Sequence, residues 1–228
     1  MLRNYFLVAM RHLKRQPNYT ILNVVGLTIG IASSLLIALY LNQEISYDHQ
    51  HANKDRIYRV SSDFTEPDNA FRWAVTQVPL GRTLKEEYQE VEQFTRVVPA
   101  GKIALEYEGT NYFVEKTYMV DSTVFDVFTF KILQGDMESA LNAPNAIALS
   151  QSMAKKIFKD QNPIGELVKT TSFSYEVTAV YEDMPKTSHL IANAMVSFST
   201  NQRYYNSQSW GGFNIYTYVL LNEFVDPL

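Results

Sequence analysis

Cysteine is missing from all 228 residues. Its absence excludes disulfide staples, thiol nucleophiles and thiolate metal sites. It is compatible with an oxidising compartment without requiring one. Acidic residues are missing from the N-terminal end: Arg3, Arg11, Lys14 and Arg15 all precede the first carboxylate, Glu44. No HExxH, GxSxG or dinucleotide-binding GxGxxG occurs. Gly101-Lys102 lacks the upstream glycine of a phosphate-binding loop and runs straight into Ile103. Internal repeats and low-complexity tracts are lacking too. An autonomous enzyme is therefore not expected, and neither is a cofactor.

What the sequence does have is one long stretch without charge, from Gln16 to Gln43. Within it, Tyr19–Leu41 (YTILNVVGLTIGIASSLLIALYL) is almost wholly apolar. About 20 such residues in a helix rise roughly 30 Å, the thickness of the hydrocarbon core of a bilayer. Asn23, Thr28, Ser33 and Ser34 are polar, but a helix absorbs hydroxyls by bonding them back to its own carbonyls. A membrane-spanning helix is expected over 18–43. The basic flank should hold the N-terminus in the cytoplasm and send residues from about 44 onward across the membrane. A cleaved signal peptide would have a shorter apolar region and small residues at a cleavage site. This run is longer and ends Leu39-Tyr40-Leu41-Asn42-Gln43, so an uncleaved anchor is the better reading.

Two finer features flank and fill that span. Leu2, Tyr5, Phe6, Ala9 and Leu13 share a helical face, with Arg3, Arg11, Lys14 and Arg15 mostly elsewhere. Residues 1–17 thus read as a basic amphipathic helix in the headgroup layer, the alternative being a flexible basic leader. Pro17-Asn18 should break it from the span. Gly26, Gly30 and Ser34 recur every fourth residue, a small-residue stripe that lets another helix approach closely, although Gly and Ser are common in membrane helices anyway.

About 185 residues follow the span, enough for one large domain or two small ones. With four of the 20 Lys and Arg used before it, that part holds 16 basic side chains against 24 acidic ones, a formal charge of −8. Nucleic acid is not an expected partner for such a surface. Its 44–99 portion reads as a strand (Ile57–Phe64), a helix opened by Val78-Pro79 with Leu80, Leu84 and Tyr88 on one face, and a strand (Val91–Val98). From Pro99-Ala100-Gly101 the texture turns to short strands. These are Ile103–Glu108, a turn at Gly109, Tyr112–Val120, and Phe128–Leu133 ending at Gly135. Asp121-Ser122 is expected to cap a helical turn through Val124, Phe125 and Phe128. Ala146–Leu149 leads into Ser150, an N-cap for a helix Gln151–Phe158 whose Lys155, Lys156 and Lys159 suit its C-terminal dipole. Asn162-Pro163-Ile164-Gly165 is a turn before a hairpin of Leu167–Thr171 and Tyr175–Glu182. Strands at Ile191–Phe198 and Phe213–Leu221 follow, and Asp226-Pro227 looks like a helix start. The fold class expected is α+β, with a β-rich block (100–184) inserted between two α+β pieces (44–99 and 185–228).

Candidate chemistry is thin. Asp48, His49, His51 and Asp55 crowd the linker after the span, a pattern more common in solvated surface than in metal sites. His189 beside Ser188 would be half of a hydrolase pair, with no mapped third member. No catalytic, cofactor or metal residue is assigned.

Several stretches taken together resemble one family. They are NVVGLTIGIASSLLIALYLNQEISYDHQHANKDRIYRV (Asn23–Val60), DSTVFDVFTFKILQGD (Asp121–Asp136), AIALSQSMAKKIFKDQNPIGE (Ala146–Glu166) and DMPKTSHL (Asp183–Leu190). In order and content they resemble the N-terminal region of MacB/FtsX-type ABC transporter permeases: the first membrane helix and the MacB-like periplasmic core domain. The resemblance covers essentially the whole chain, and it is specific as a set rather than in any single piece. It implies a porter-like periplasmic subdomain (44–99 and 185–228) interrupted by a β-rich one (100–184). It also implies a permease subunit in the cell inner membrane, dimeric or paired with a second permease. The expected partners are the lipid bilayer, a cytoplasmic ABC ATPase subunit and a possible periplasmic or outer-membrane protein. ATP-driven motion inside would be passed to the periplasmic domain for export of drugs, peptides or lipoproteins, with the ATPase chemistry on another chain. Members of the family carry at least four membrane helices, so the chain is expected to be an N-terminal fragment. The reading that competes from another class is a membrane-anchored binding or regulatory domain without ATP coupling.

Overall fold

The computed structural model describes residues 2–45, 48–66, 69–223 and 225. They form two compact units, one ending at Tyr47 and one beginning at Asp48.

The first unit is helical. Helix α1 spans Leu2–Arg15, and α2 spans Pro17–Ile45. Gln16 separates them, and Pro17 takes the first helical position, where its missing N–H costs nothing. The break expected at Pro17-Asn18 is thus the start of the second helix. Arg11, Lys14 and Arg15 are exposed on α1. The side chains of Leu2, Arg3, Phe6, Ala9 and Leu13 lie outside the described residues. In α2 the hydroxyls fold back onto the helix: Thr28 donates to the Val24 carbonyl at 2.7 Å and Ser34 to that of Gly30 at 2.9 Å. By length and composition α2 is the one described helix able to cross a membrane.

The second unit is built on a nine-stranded mixed sheet. Its strands are β1 (Ile57–Arg59), β4 (Val91–Tyr107), β5 (Thr110–Val120), β6 (Ile132–Gly135), β7 (Ala146–Ser150), β8 (Leu167–Lys169), β9 (Ser174–Tyr181), β10 (Ala194–Ser197) and β11 (Tyr216–Leu221). They run in the order β1-β11-β4-β5-β10-β7-β9-β6. The remaining strand, β8, pairs with both β9 and β4, the latter through Glu106 opposite Lys169. Strands β4, β5, β10, β7, β9 and β8 therefore close a ring. Inside it lie Leu105, Val114, Ile147, Leu149, Val168, Val177 and Val196, with Met153, Ile157 and Phe158 of helix α5 (Gln151–Phe158) packed against them. The other face of the sheet carries a second core, including Val97, Val120, Phe128, Ala148, Tyr181 and Met195. Strand β7 serves both, with Ile147 and Leu149 in one core and Ala146 and Ala148 in the other, so it is buried along its whole length.

Local chemistry accounts for several of these elements. Glu108 and Gly109 both take positive φ (48° and 76°), the two-residue turn whose twist matches the hairpin β4–β5. Ser150 caps α5 as expected, its Oγ accepting from the Met153 amide at 3.4 Å. Strand β4 does not stop at the expected change of texture: it runs from 91 to 107 and absorbs Pro99-Ala100-Gly101 as bulges against β5. A proline in a strand interior removes a ladder hydrogen bond, and a bulge is where that loss is tolerated.

Four further expectations need correction. The strand expected at Phe128–Leu133 is only β6, Ile132–Gly135, and 128–130 is loop. Ile57–Phe64 is not one strand. It splits at Val60-Ser61 into β1, which joins the large sheet, and β2 (Ser62–Glu66), which pairs with β3 (Asn69–Trp73) in a separate hairpin. Helix α3 (Leu80–Glu87) buries Gly81 rather than a Leu–Leu–Tyr stripe, and Tyr88 is exposed. Asp121 does not cap the helical turn α4 (Val124–Val127), whose N-cap is Thr123 without a side-chain bond. The helix start proposed at Asp226-Pro227 lies outside the described residues.

Candidate functional site

The residues that follow α2 are tied into the second unit by a dense polar knot. Asp48, three positions beyond Ile45, sits on the loop 185–190. Its amide donates to the Thr187 carbonyl at 2.9 Å. Its carboxylate accepts from the His189 amide at 3.1 Å and from the Ser188 hydroxyl at 3.4 Å, and meets His189 Nδ1 at 2.7 Å. A carboxylate only accepts, so Nδ1 carries the proton facing it. The other ring nitrogen, Nε2, lies 3.1 Å from the Tyr218 hydroxyl on β11. Burial pushes the Tyr218 phenol up to about 12, with nearby Arg59 pulling the other way. It is thus a neutral hydroxyl within hydrogen-bond distance of Nε2.

His51 forms the second half of the knot. Only 2% exposed, it packs its ring on Phe128 and Phe130 at 5.1 and 6.2 Å between centroids. The Thr129 amide donates to its Nδ1 at 3.1 Å, and the Ala52 amide donates to the Thr129 hydroxyl at 2.8 Å. An Nδ1 that accepts is unprotonated, which leaves Nε2 as the N–H, 3.3 Å from the Gln50 side-chain amide and 4.0 Å from Asp48 Oδ1. Burial holds the His51 pKa below the ordinary histidine value, outweighing the pull of Asp48. Further along, Arg56 closes the segment: its guanidinium donates to Glu92 at 2.7 Å, to the Leu221 carbonyl at 2.9 Å and to Asn53 at 2.9 Å. A cleft of about 300 Å³ lined by Ile57, Arg59, His189 and Tyr218 opens beside the knot.

The linker residues singled out in the sequence thus part company. Asp48 and His51 turn inward, whereas His49 and Asp55 are exposed. Among the described residues no group of three or more Asp, Glu or His side chains is arranged to hold a metal ion. Ser188, 3% exposed, gives its hydroxyl to Asp48 and Leu190 rather than to His189. The imidazole faces a carboxylate and a phenol, without an activated nucleophile. Gly26 and Gly30 line an open face of α2, where an added Cβ would meet nothing within 4 Å.

Sequence reasoning passed over two features. Tyr218 looks like any strand tyrosine, and nothing local marks it as the partner of a histidine 29 residues away. Arg96 went unremarked within the strand Val91–Val98, yet it is 1% exposed and paired with Asp121.

A large mixed sheet with a ring of strands at one end, preceded in the chain by a long apolar helix, is the build of a membrane-anchored extracytoplasmic domain. Solved structures share this fold. One is a domain assigned to a permease protein from Porphyromonas gingivalis, with 21% identity, 78% of this chain and 77% of that chain covered, and a TM-score of 0.69. Another is the periplasmic region of MacB from Actinobacillus actinomycetemcomitans, with 19% identity, 66% and 67% covered, and a TM-score of 0.50. No curated protein matches the sequence. The model of the MacB-like periplasmic core domain matches residues 20–227, and the chain belongs to that family. By family it is a permease component with an extracytoplasmic domain.

Proposed function

We propose that the chain is a permease subunit of an ABC transporter that passes ATP-driven motion from a cytoplasmic ATPase subunit to its extracytoplasmic domain, for export of drugs, peptides or lipoproteins. The observation that carries this reading is that one family match runs without a break from residue 20, within α2, to residue 227. The basic flank of α2 supports a cytoplasmic N-terminus in the cell inner membrane. On this reading Arg3, Arg11, Lys14 and Arg15 hold α1 in the headgroup layer, and α2 is the mechanical link. The knot at Asp48 and His51 takes up the motion, because it leaves little slack between Asp48 and the sheet. Gly26, Gly30 and Ser34 form the face on which a neighbouring membrane helix packs, in a homodimer or a paired permease. The stretches 44–99 and 185–228 act as the porter-like part, and 100–184 as the part facing a periplasmic or outer-membrane partner.

Affinity purification from membranes tests the reading. An ABC ATPase is expected to co-purify with the full chain and to be lost when residues 2–15 are deleted. Recovery of the protein with an extracytoplasmic partner but no ATPase would instead establish an anchored binding domain without ATP coupling.

A further inference from the structure

We propose that His51 is a proton-operated latch that fixes the segment just after α2 to the loop 128–130 and lets it go on acidification. The latch follows from an incompatibility in hydrogen bonding. The Thr129 amide can donate to His51 Nδ1 only while that nitrogen is unprotonated. A proton placed there sets two donors against each other in a site where His51 is 2% exposed and walled by Phe128 and Phe130. The Thr129 amide then has no partner, and the neighbouring bond from the Ala52 amide to the Thr129 hydroxyl shares the same small contact.

An imidazolium also has somewhere to go. Asp48 Oδ1 lies 4.0 Å from His51 Nε2, close enough for a short swing to make an ion pair. The charged and titratable groups around the switch are Asp48 on the same segment, His189 on the loop 185–190, Tyr218 on β11 and Arg59 on β1. His189 already occupies the other oxygen of Asp48 at 2.7 Å and lowers the His51 pKa, while the Tyr218 hydroxyl stays neutral throughout. Acid therefore does not simply strengthen the knot. It moves the segment from the loop 128–130 toward Asp48. Burial delays the change to below the ordinary histidine range, so the latch is closed at neutral pH and opens in acid.

Any effect on transport rests on the proposed role of this segment in carrying motion; the latch itself does not. The test is hydrogen exchange followed by mass spectrometry on the full chain in nanodiscs at pH 7.5 and 5.5, with exchange normalised to the buried strand 146–150. Loss of one buried hydrogen bond predicts that relative protection of 128–130 and 50–53 falls about fivefold or more in acid. In His51→Asn, whose side-chain oxygen stands where Nδ1 was and takes no proton, protection should be the same at both pH values. In His51→Phe, which keeps the ring packing without the acceptor, it should be low at both. Equal protection in the wild type at the two pH values overturns the proposal. An acid-induced loss that persists in His51→Asn overturns it too, because the effect then comes from another group. ATPase co-purification with His51→Asn separates the two readings: retained ATPase with no pH response in the wild type defeats the latch and leaves the transporter role standing.

Discussion

Arg96 and Asp121 are locked together at the centre of the domain. The guanidinium Nε and Nη2 meet the two carboxylate oxygens at 2.9 and 2.8 Å, and the Arg96 backbone amide adds a third bond of 2.8 Å. The remaining donors reach the carbonyls of Val78 and Tyr205 at 3.2 and 3.3 Å, and the cation lies 4.8 Å from the rings of both Phe198 and Tyr205. One side chain thus joins the entry to α3, strand β4, the turn before α4 and the short helix α6 (Gln202–Tyr205). Such a pair is costly to bury and far costlier to break.

Breaking it from one side should show this. Asp121→Ala leaves the arginine charge buried and is expected to cost about 3–5 kcal/mol. At about 2–4 °C per kcal/mol for a domain of this size, calorimetry on the full chain should see Tm fall by roughly 10 °C. Replacing both partners, as Arg96→Met with Asp121→Leu, should recover much of the loss. A single-mutant drop below about 2 °C would mean the pair does not bind these elements together.

Gly135 ends β6 at φ +87°, and a Cβ there would fall on the Thr178 carbonyl of the paired strand. Gly135→Ala is therefore expected to destabilise by about 2–4 kcal/mol in denaturant titration, from strain and overpacking combined. Gly81→Ala is the milder comparison. Its Cβ would come within 2.6 Å of the Phe94 ring, a side chain able to shift, and the helix gains about 1 kcal/mol in propensity. If Gly135→Ala costs no more than Gly81→Ala, the register of β6 on β9 is misplaced.

Two buried groups set opposite pH limits. The His51 pKa is lowered in the folded state, so the unfolded chain binds the extra proton. The stability it contributes is full above about 6.5 and is lost as pH falls from there. The Tyr218 phenol is raised to about 12, so its contribution is full below the unfolded value near 10 and is lost as pH rises toward 12. Urea midpoints across pH should flatten on the acid side in His51→Asn and on the alkaline side in Tyr218→Phe. A wild-type profile without either slope would contradict the burial of both.

The small-residue face of α2 makes a prediction confined to the membrane. Gly30→Leu fills a surface that is open on the isolated helix, so the thermal unfolding of the extracytoplasmic unit should be unchanged. Crosslinking of the full protein in membranes should lose its helix–helix adduct. Wild-type crosslinking in Gly30→Leu would return Gly26, Gly30 and Ser34 to ordinary membrane-helix composition.

What the residues disclosed in advance was local. A run without charge, a serine before a helix and an Asn-Pro-Ile-Gly turn each act within a few positions, and α2, α5 and the β8–β9 hairpin appeared where those signals stood. The α+β class followed from them. Longer-range facts stayed hidden. Val60-Ser61 carries no proline or glycine to mark the split between β1 and β2, so one strand was read where two diverge into different sheets. The strand β3 and its aromatic pairing, Phe64 on Phe71 at 5.1 Å, went unread although Pro67-Asp68 is a turn signal between the two strands. Asp121 followed by Ser122 is a fair capping signal, but its carboxylate answers to an arginine 25 residues earlier in the chain. In the knot, Asp48 and His51 were noticed for a metal they are not arranged to hold, because their real partners, His189, Tyr218 and Thr129, come from distant loops and strands.

The absence of native cysteine allows a direct test of the coupling. A single cysteine in place of exposed His49, beside the knot, can be followed with a membrane-impermeant maleimide in right-side-out proteoliposomes that contain the co-purified ATPase. Labelling from outside is expected, at a rate that changes when the lumen is loaded with ATP rather than ADP. Labelling only from the lumen, or an outside rate indifferent to the nucleotide, would contradict the proposal that this segment carries ATP-driven motion to the extracytoplasmic domain.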